Sequence, residues 1–112
     1  MSPDDVIRLR HMAEAAEAAL RFCRGRTPAD VESDDMLRFA LTRAVEIIGE
    51  AANKVSAEAR AQMPGIAWPA IVGMRNRLVH AYFDVDSQIL WTTVEERLPS
   101  LLAELKRGLS RS

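Results

Sequence analysis

A chain of 112 residues with 48% hydrophobic and 28% charged side chains carries the apolar material for one compact core, which excludes a disordered tail. The formal net charge of −1 excludes bulk basicity as a route to nucleic acid, so a nucleic-acid site here has to be a local patch. The single cysteine, Cys23, excludes an internal disulfide and a cysteine-built metal cluster.

Alanine is the commonest residue, leucine is frequent and aromatic residues are few, which favours helices. Residues 1–112 are expected to form one domain, since a second would be too small to bury a core of its own. The start, Met-Ser-Pro-Asp-Asp, is acidic where a signal peptide needs positive charge. No stretch reaches the ~18 apolar residues of a membrane span. A cytoplasmic protein without membrane attachment is the expectation.

Taken in chain order, Ser2 is a plausible N-cap, with Pro3 at the first helical position and Asp4 and Asp5 in the first turn. Val6, Leu9, Ala13, Ala16, Leu20 and Cys23 recur every three or four residues and predict one helix to about Arg24, ended by Gly25. Cys23 on that stripe reads as a small core residue. The stretch from Gly25 to Ser33 reads as a loop. Ser33, Asp34 or Asp35 caps a second helix whose buried stripe is Leu37, Leu41, Ala44, Ile48, Ala51, Ala52 and Val55. Phe39, Val45 and Ile47 add apolar surface outside the stripe, the pattern of a helix with more than one packing partner, and a second subunit is one such partner.

The pattern fades near Met63-Pro64-Gly65. Trp68-Pro69 opens a third helix running through Ile71, Val72, Met74, Leu78 and Val79. Phe83-Asp84-Val85-Asp86 reads as a turn, and Asp86 or Ser87 caps a fourth helix continued by Ile89, Leu90, Thr93 and Val94. Pro99 should end or kink it, leaving Leu101, Leu102 and Leu105 on a last amphipathic piece. No segment shows strand alternation. The fold class expected is all-α, an up-and-down bundle of four or five helices.

The chemistry concentrates in Arg75 to Tyr82. These eight residues hold two arginines, an asparagine, one of two histidines and the only tyrosine, spaced R-x4-H-x-Y. RNA carries its own nucleophile, the 2′-hydroxyl, so its cleavage needs a base for that proton and positive charge for the phosphorane-like transition state. His80 has the intrinsic pKa of such a base. Arg75 offers a planar fork of donors to phosphate oxygens. Asn76 can orient either the phosphate or the imidazole, and Arg77 is a possible RNA contact. This chemistry asks for no metal and no cofactor.

Helical periodicity puts Asn76 and His80 on one face, four residues apart, but sets Arg75 and His80 about 140° apart. Either the helix is distorted near His80 or two copies of the segment meet across a two-fold axis. The second route doubles the local positive charge, and a homodimer is the expectation.

Arg75-Asn76-x-x-x-His80-x-Tyr82 resembles the R-x4-H-x-Y motif of HepT toxins, a branch of the HEPN superfamily. The surrounding text resembles that family too, in Arg8 to Ala16, in Glu46-Ile-Ile-Gly-Glu-Ala-Ala52, in Trp68 followed by Ile71-Val-Gly-Met-Arg75, and in Tyr82-Phe-Asp-Val-Asp86. The resemblance implies a HEPN-like helical homodimer and metal-independent RNA cleavage in a type VII toxin–antitoxin system. It also implies a partner, an antitoxin of the minimal nucleotidyltransferase (MNT) type, which transfers AMP from ATP to the motif tyrosine, here Tyr82. A phosphate there would occupy the arginine fork and repel RNA. Two other readings stand beside this one: a catalytically silent HEPN subunit that only partners a nucleotidyltransferase, and a helical dimer without chemistry. Glu46, Gly49 and Glu50 belong to this family text; a carboxylate on that helix would orient Arg75 if it faces the arginine, and Gly49 would permit close helix approach.

Overall fold

The computed structural model describes residues 1–81 and 84–111, with the side chains of residues 79, 80, 81 and 84 left aside. Among the described residues, eight α-helices, one π-helical turn and two short strands follow one another along the chain.

The first helix, α1, spans Pro3–Cys23. The Ser2 hydroxyl accepts from the Asp5 backbone N–H at 3.1 Å, Pro3 fills the first turn, and Gly25 leaves the helix at φ +70°, where the missing Cβ removes the steric penalty. Leu9, Met12, Ala16 and Ala19 have no exposed surface, so the alanine-rich face is the packed one. Cys23 belongs to this core, and burial pushes its thiol up to about 11, as befits an unreactive packing residue.

The segment read as a loop contains a helix, α2 (Pro28–Ser33), closed by a capping box between Thr27 and Asp30. Its one buried residue is Val31, too little to give a periodic signal. Arg26 donates to both Asp30 and Asp34, and Asp34 caps α3 (Asp35–Asn53) by accepting from the Leu37 N–H at 3.1 Å. Along α3, Leu41, Val45, Ile48 and Ala52 are fully buried, while Phe39 is 57% exposed. Ser56 then caps α4 (Ala57–Ala61) and turns back to α1: its N–H and hydroxyl donate to the two carboxylate oxygens of Asp5 at 2.9 and 2.8 Å. Those bonds hold the Asp5 carboxyl below its ordinary pKa of 3.8 despite its burial.

The expected third helix is divided. Trp68–Val72 forms α5 and Met74–Leu78 forms α6, with Gly73 between them. Strand β1 (Val79–Ala81) pairs antiparallel with β2 (Asp84–Val85), with Val79 opposite Val85 and Ala81 opposite Asp84. This corrects three expectations: Val79 is not helical, Asp84 and Val85 are strand rather than turn, and the chain does contain a strand pair. The pair is too short for alternation to register in the sequence.

Asp86 caps α7 (Ser87–Thr92), accepting from the Ile89 N–H at 3.0 Å. A π-helical turn at Thr93–Arg97 leads into α8 (Leu98–Ser110), so Pro99 neither ends the helix nor stands alone. Proline lacks an N–H and its ring crowds the carbonyl one turn back, and the wider turn just before it absorbs the misfit.

The long helices α1, α3 and α8 form the body, with α1 packed along both others and α5 and α6 laid against α3. The architecture is the expected all-α bundle, carrying one short hairpin. Among the described residues no helix is long and apolar enough to cross a membrane.

Candidate functional site

The site is built where α5 and α6 rest on α3. Gly49 makes the approach close: a Cβ there would stand 3.3 Å from the Val72 carbonyl oxygen, as the expectation of close helix packing requires. Trp68 anchors the start of α5. It is buried, its indole N–H donates to the Met63 carbonyl at 3.2 Å, and the Arg60 guanidinium lies 5.5 Å from the ring centroid. Arg60 also donates to the Ala52 and Val55 carbonyls at 2.8 and 3.2 Å, capping the end of α3. One arginine therefore ties the end of α3 to the beginning of α5.

On α6, Met74 and Leu78 lie one turn apart and are buried, which turns the three residues between them outward. Arg75, Asn76 and Arg77 are all exposed, an arc across the outer surface of α6. Arg75 is fixed by Glu46 of α3, whose carboxylate accepts from its Nε at 2.9 Å. Glu46 is 25% exposed against 48% for Arg75, so the carboxylate is the more anchored partner. With Nε engaged, the terminal nitrogens of the guanidinium remain for a ligand. Of the two carboxylates in that stretch of α3, Glu46 and not Glu50 is the partner of Arg75. A second pair on α3, Arg43 with Glu50 at 3.4 Å, is exposed on both sides and contributes little.

The helix stops at Leu78, before His80 is reached. The Leu78 carbonyl accepts from the Asp86 N–H at 2.8 Å, closing the hairpin that carries His80 on β1. The expected alignment of Asn76 with His80 on one helical face therefore does not hold, because there is no helical face beyond Leu78. Of the two routes around the angular mismatch with Arg75, the structure takes the first, an interrupted helix, and the mismatch no longer argues for a second copy. The side chain of His80 and the whole of Tyr82 lie outside the described residues, so the structure brings together Arg75, Asn76, Arg77 and Glu46 and places only the backbone of His80 directly after them.

His11, the other histidine, is exposed on α1, and the acidic run from Asp30 to Asp35 serves as caps and arginine partners.

Comparison with known proteins agrees with the motif. The family model described as Ribonuclease HepT-like matches residues 12–107. A Thermococcus cleftensis protein named "Probable ribonuclease HepT" is 39% identical over 99 residues, covering 88% of this chain and 90% of its own. Two further relatives whose names carry the word RNase are 34% and 33% identical. The first, from Methanocaldococcus jannaschii, covers 88% of this chain and 90% of its own, and the second, from Caldanaerobacter subterraneus subsp. tengcongensis, covers 92% of both. No solved structure matches the chain. A family match over most of the sequence, on a helical bundle that turns Arg75 and Asn76 outward, makes this chain a member of the HepT-like ribonuclease family of the HEPN superfamily.

Proposed function

We propose that this protein is the toxin of a HepT/MNT toxin–antitoxin pair, an endoribonuclease of the cytoplasm that needs no metal. The observation that carries the reading is the Glu46–Arg75 pair, which holds one edge of the guanidinium and leaves its terminal nitrogens outward, one short helix before His80. In the reaction the 2′-oxygen of RNA attacks the neighbouring phosphorus as His80 takes its proton, the bond from phosphorus to the 5′-oxygen breaks, and that oxygen leaves as a hydroxyl by taking a proton from water. Arg75 and Asn76 donate to the non-bridging oxygens as negative charge grows there. The products are a 2′,3′-cyclic phosphate and a 5′-hydroxyl end.

The active form is a homodimer whose two copies of the motif share one cleft. Support comes from apolar side chains left at the surface of α3, Met36 at 83% and Phe39 at 57% exposure. Control falls to a nucleotidyltransferase antitoxin that places AMP on Tyr82, filling the arginine fork with a competing phosphate.

The test is cleavage of RNA by the purified wild type and by His80→Ala, with and without EDTA. Wild-type cleavage that survives the chelator and vanishes in the variant supports the reading. Activity lost to EDTA and restored by magnesium, or unchanged in the variant, overturns the mechanism. For the antitoxin, co-expression with the nucleotidyltransferase should add the mass of AMP to the Tyr82 peptide, and Tyr82→Phe should keep cleaving while escaping neutralisation.

A further inference from the structure

A cleft of about 310 Å³ opens beside α6, between that helix and the junction of α7 with the π turn. Its lining combines Arg77, Gln88, Ile89, Thr92, Glu96 and Arg97. Among the described residues, Arg77 is the member of the Arg75–Tyr82 motif that lines it.

Arg75 and Arg77 are two residues apart on one helix, hence about 200° apart around it, with Asn76 on the ridge between them. Arg75 is turned to α3 by Glu46, and Arg77 lines the cleft on the α7 side. A strand laid across α6 would pass from Arg75 over Asn76 to Arg77, the width of one helix, about 10 Å. Among the described residues neither Arg77 nor Arg97 has an ion-pair partner, so both guanidinium groups are available to a ligand.

The lining chemistry exceeds what a phosphate alone would need. Glu96 repels an anion, and as a carboxylate it only accepts hydrogen bonds. Gln88 presents both a donor and an acceptor, and Ile89 gives an apolar wall against which a base can lie. The volume sits at the lower end of small-ligand sites, ~300–1,000 Å³, which suits one nucleotide and not a duplex.

We propose that this cleft seats the RNA nucleotide flanking the scissile phosphate, with Arg77 and Arg97 on its phosphate and Glu96 with Gln88 on its base edge, so that bases bearing an exocyclic amine are chosen over uracil. The proposal rests on the ribonuclease reading for its substrate, and its test separates the two by using RNA that cannot be cleaved. Short 2′-O-methyl oligocytidine and oligouridine lack the attacking hydroxyl and report binding alone.

Fluorescence anisotropy should show the wild type binding oligocytidine roughly tenfold more tightly than oligouridine. Glu96→Gln should erase that difference. Arg77→Ala with Arg97→Ala should weaken both oligonucleotides about tenfold and flatten the dependence of log K on log salt by about 0.7 for each lost phosphate contact. Arg10→Ala, a charge removed from the exposed face of α1, should leave both affinities near wild type, with thermal melts checking that every variant is folded. Equal affinity of the wild type for the two oligonucleotides overturns the base selection, as does a preference that survives Glu96→Gln. Wild-type affinity in the double arginine variant, or a wild type that binds neither oligonucleotide, overturns the cleft. A wild type that binds in the expected pattern but cleaves no RNA overturns the ribonuclease reading instead and leaves the cleft standing.

Discussion

Along α1, α3 and α8 the buried side chains recur every three or four residues, and long runs of helix are held by that repetition. Between Trp68 and Asp86 the described residues form four short elements, α5, α6 and two strands. The first region is stabilised by many interchangeable apolar contacts. The second depends on a few particular ones: the backbone approach at Gly49, the Arg60–Trp68 stack, the Glu46–Arg75 bond and the Leu78–Asp86 clamp. On the proposed reading the fold separates its bulk stability from its chemistry, and substitutions in the two regions should have different readouts.

The largest expected effect lies in the second region. Arg75→Ala should lower RNA cleavage ~100- to 1,000-fold, the usual loss for one transition-state donor, with the melting temperature nearly unchanged. A melt that collapses together with activity would break the separation. Arg75→Lys should recover only part of the rate, since a point charge cannot reproduce the fork.

In the body, Leu41→Ala removes a side chain with no exposed surface and should cost about 2–5 kcal/mol, read by chemical denaturation. Below its lowered melting point the variant should retain its cleavage rate. A variant that is stable but inactive would show that the core reaches the site directly.

Glu46→Gln sharpens the comparison from within the site. The amide can still accept from Nε but lacks the charge that anchors the arginine, so cleavage should fall about tenfold. The affinity for RNA should hold or rise, since one negative charge is removed beside the phosphate. A rise in both rate and affinity would show that Glu46 restrains Arg75 and does not position it.

The smallest effect is on pH. Asp5 has a folded pKa depressed by its bonds to Ser56, so the stability it contributes is complete above 3.8 and disappears as pH falls through the lower folded value. Denaturation of the wild type followed below pH 4 should show the loss, and Asp5→Asn should flatten it. An unchanged acid limb in the variant would mean that other carboxylates carry it.

Much of the body was legible in the residues themselves. Ser2-Pro3, the Leu37-Leu41-Ile48 stripe and the Asp86 cap are local signals whose meaning does not depend on the rest of the fold. The short elements were not. Val31 alone gives α2 no periodicity, and Val79 continues the apolar pattern of α6 while its backbone has already become extended. That change is set by pairing with Val85, a partner no helical template anticipates. The motif from Arg75 to Tyr82 stood out by composition, while Glu46 and Glu50 stood together in the text shared with the family, with nothing local to choose between them. Gln88, Glu96 and Arg97 gave no signal, because a groove between two helices leaves no mark on either one alone.

The bond from the Asp86 N–H to the Leu78 carbonyl bears on what a change of length in the hairpin would cost. Both ends of the hairpin are fastened to the bundle, one by a fully buried leucine and the other by a helix cap. An insertion that doubled the length between these two anchors would add only about 0.6 kcal/mol of closure entropy, so such a change should register in activity well before it registers in stability.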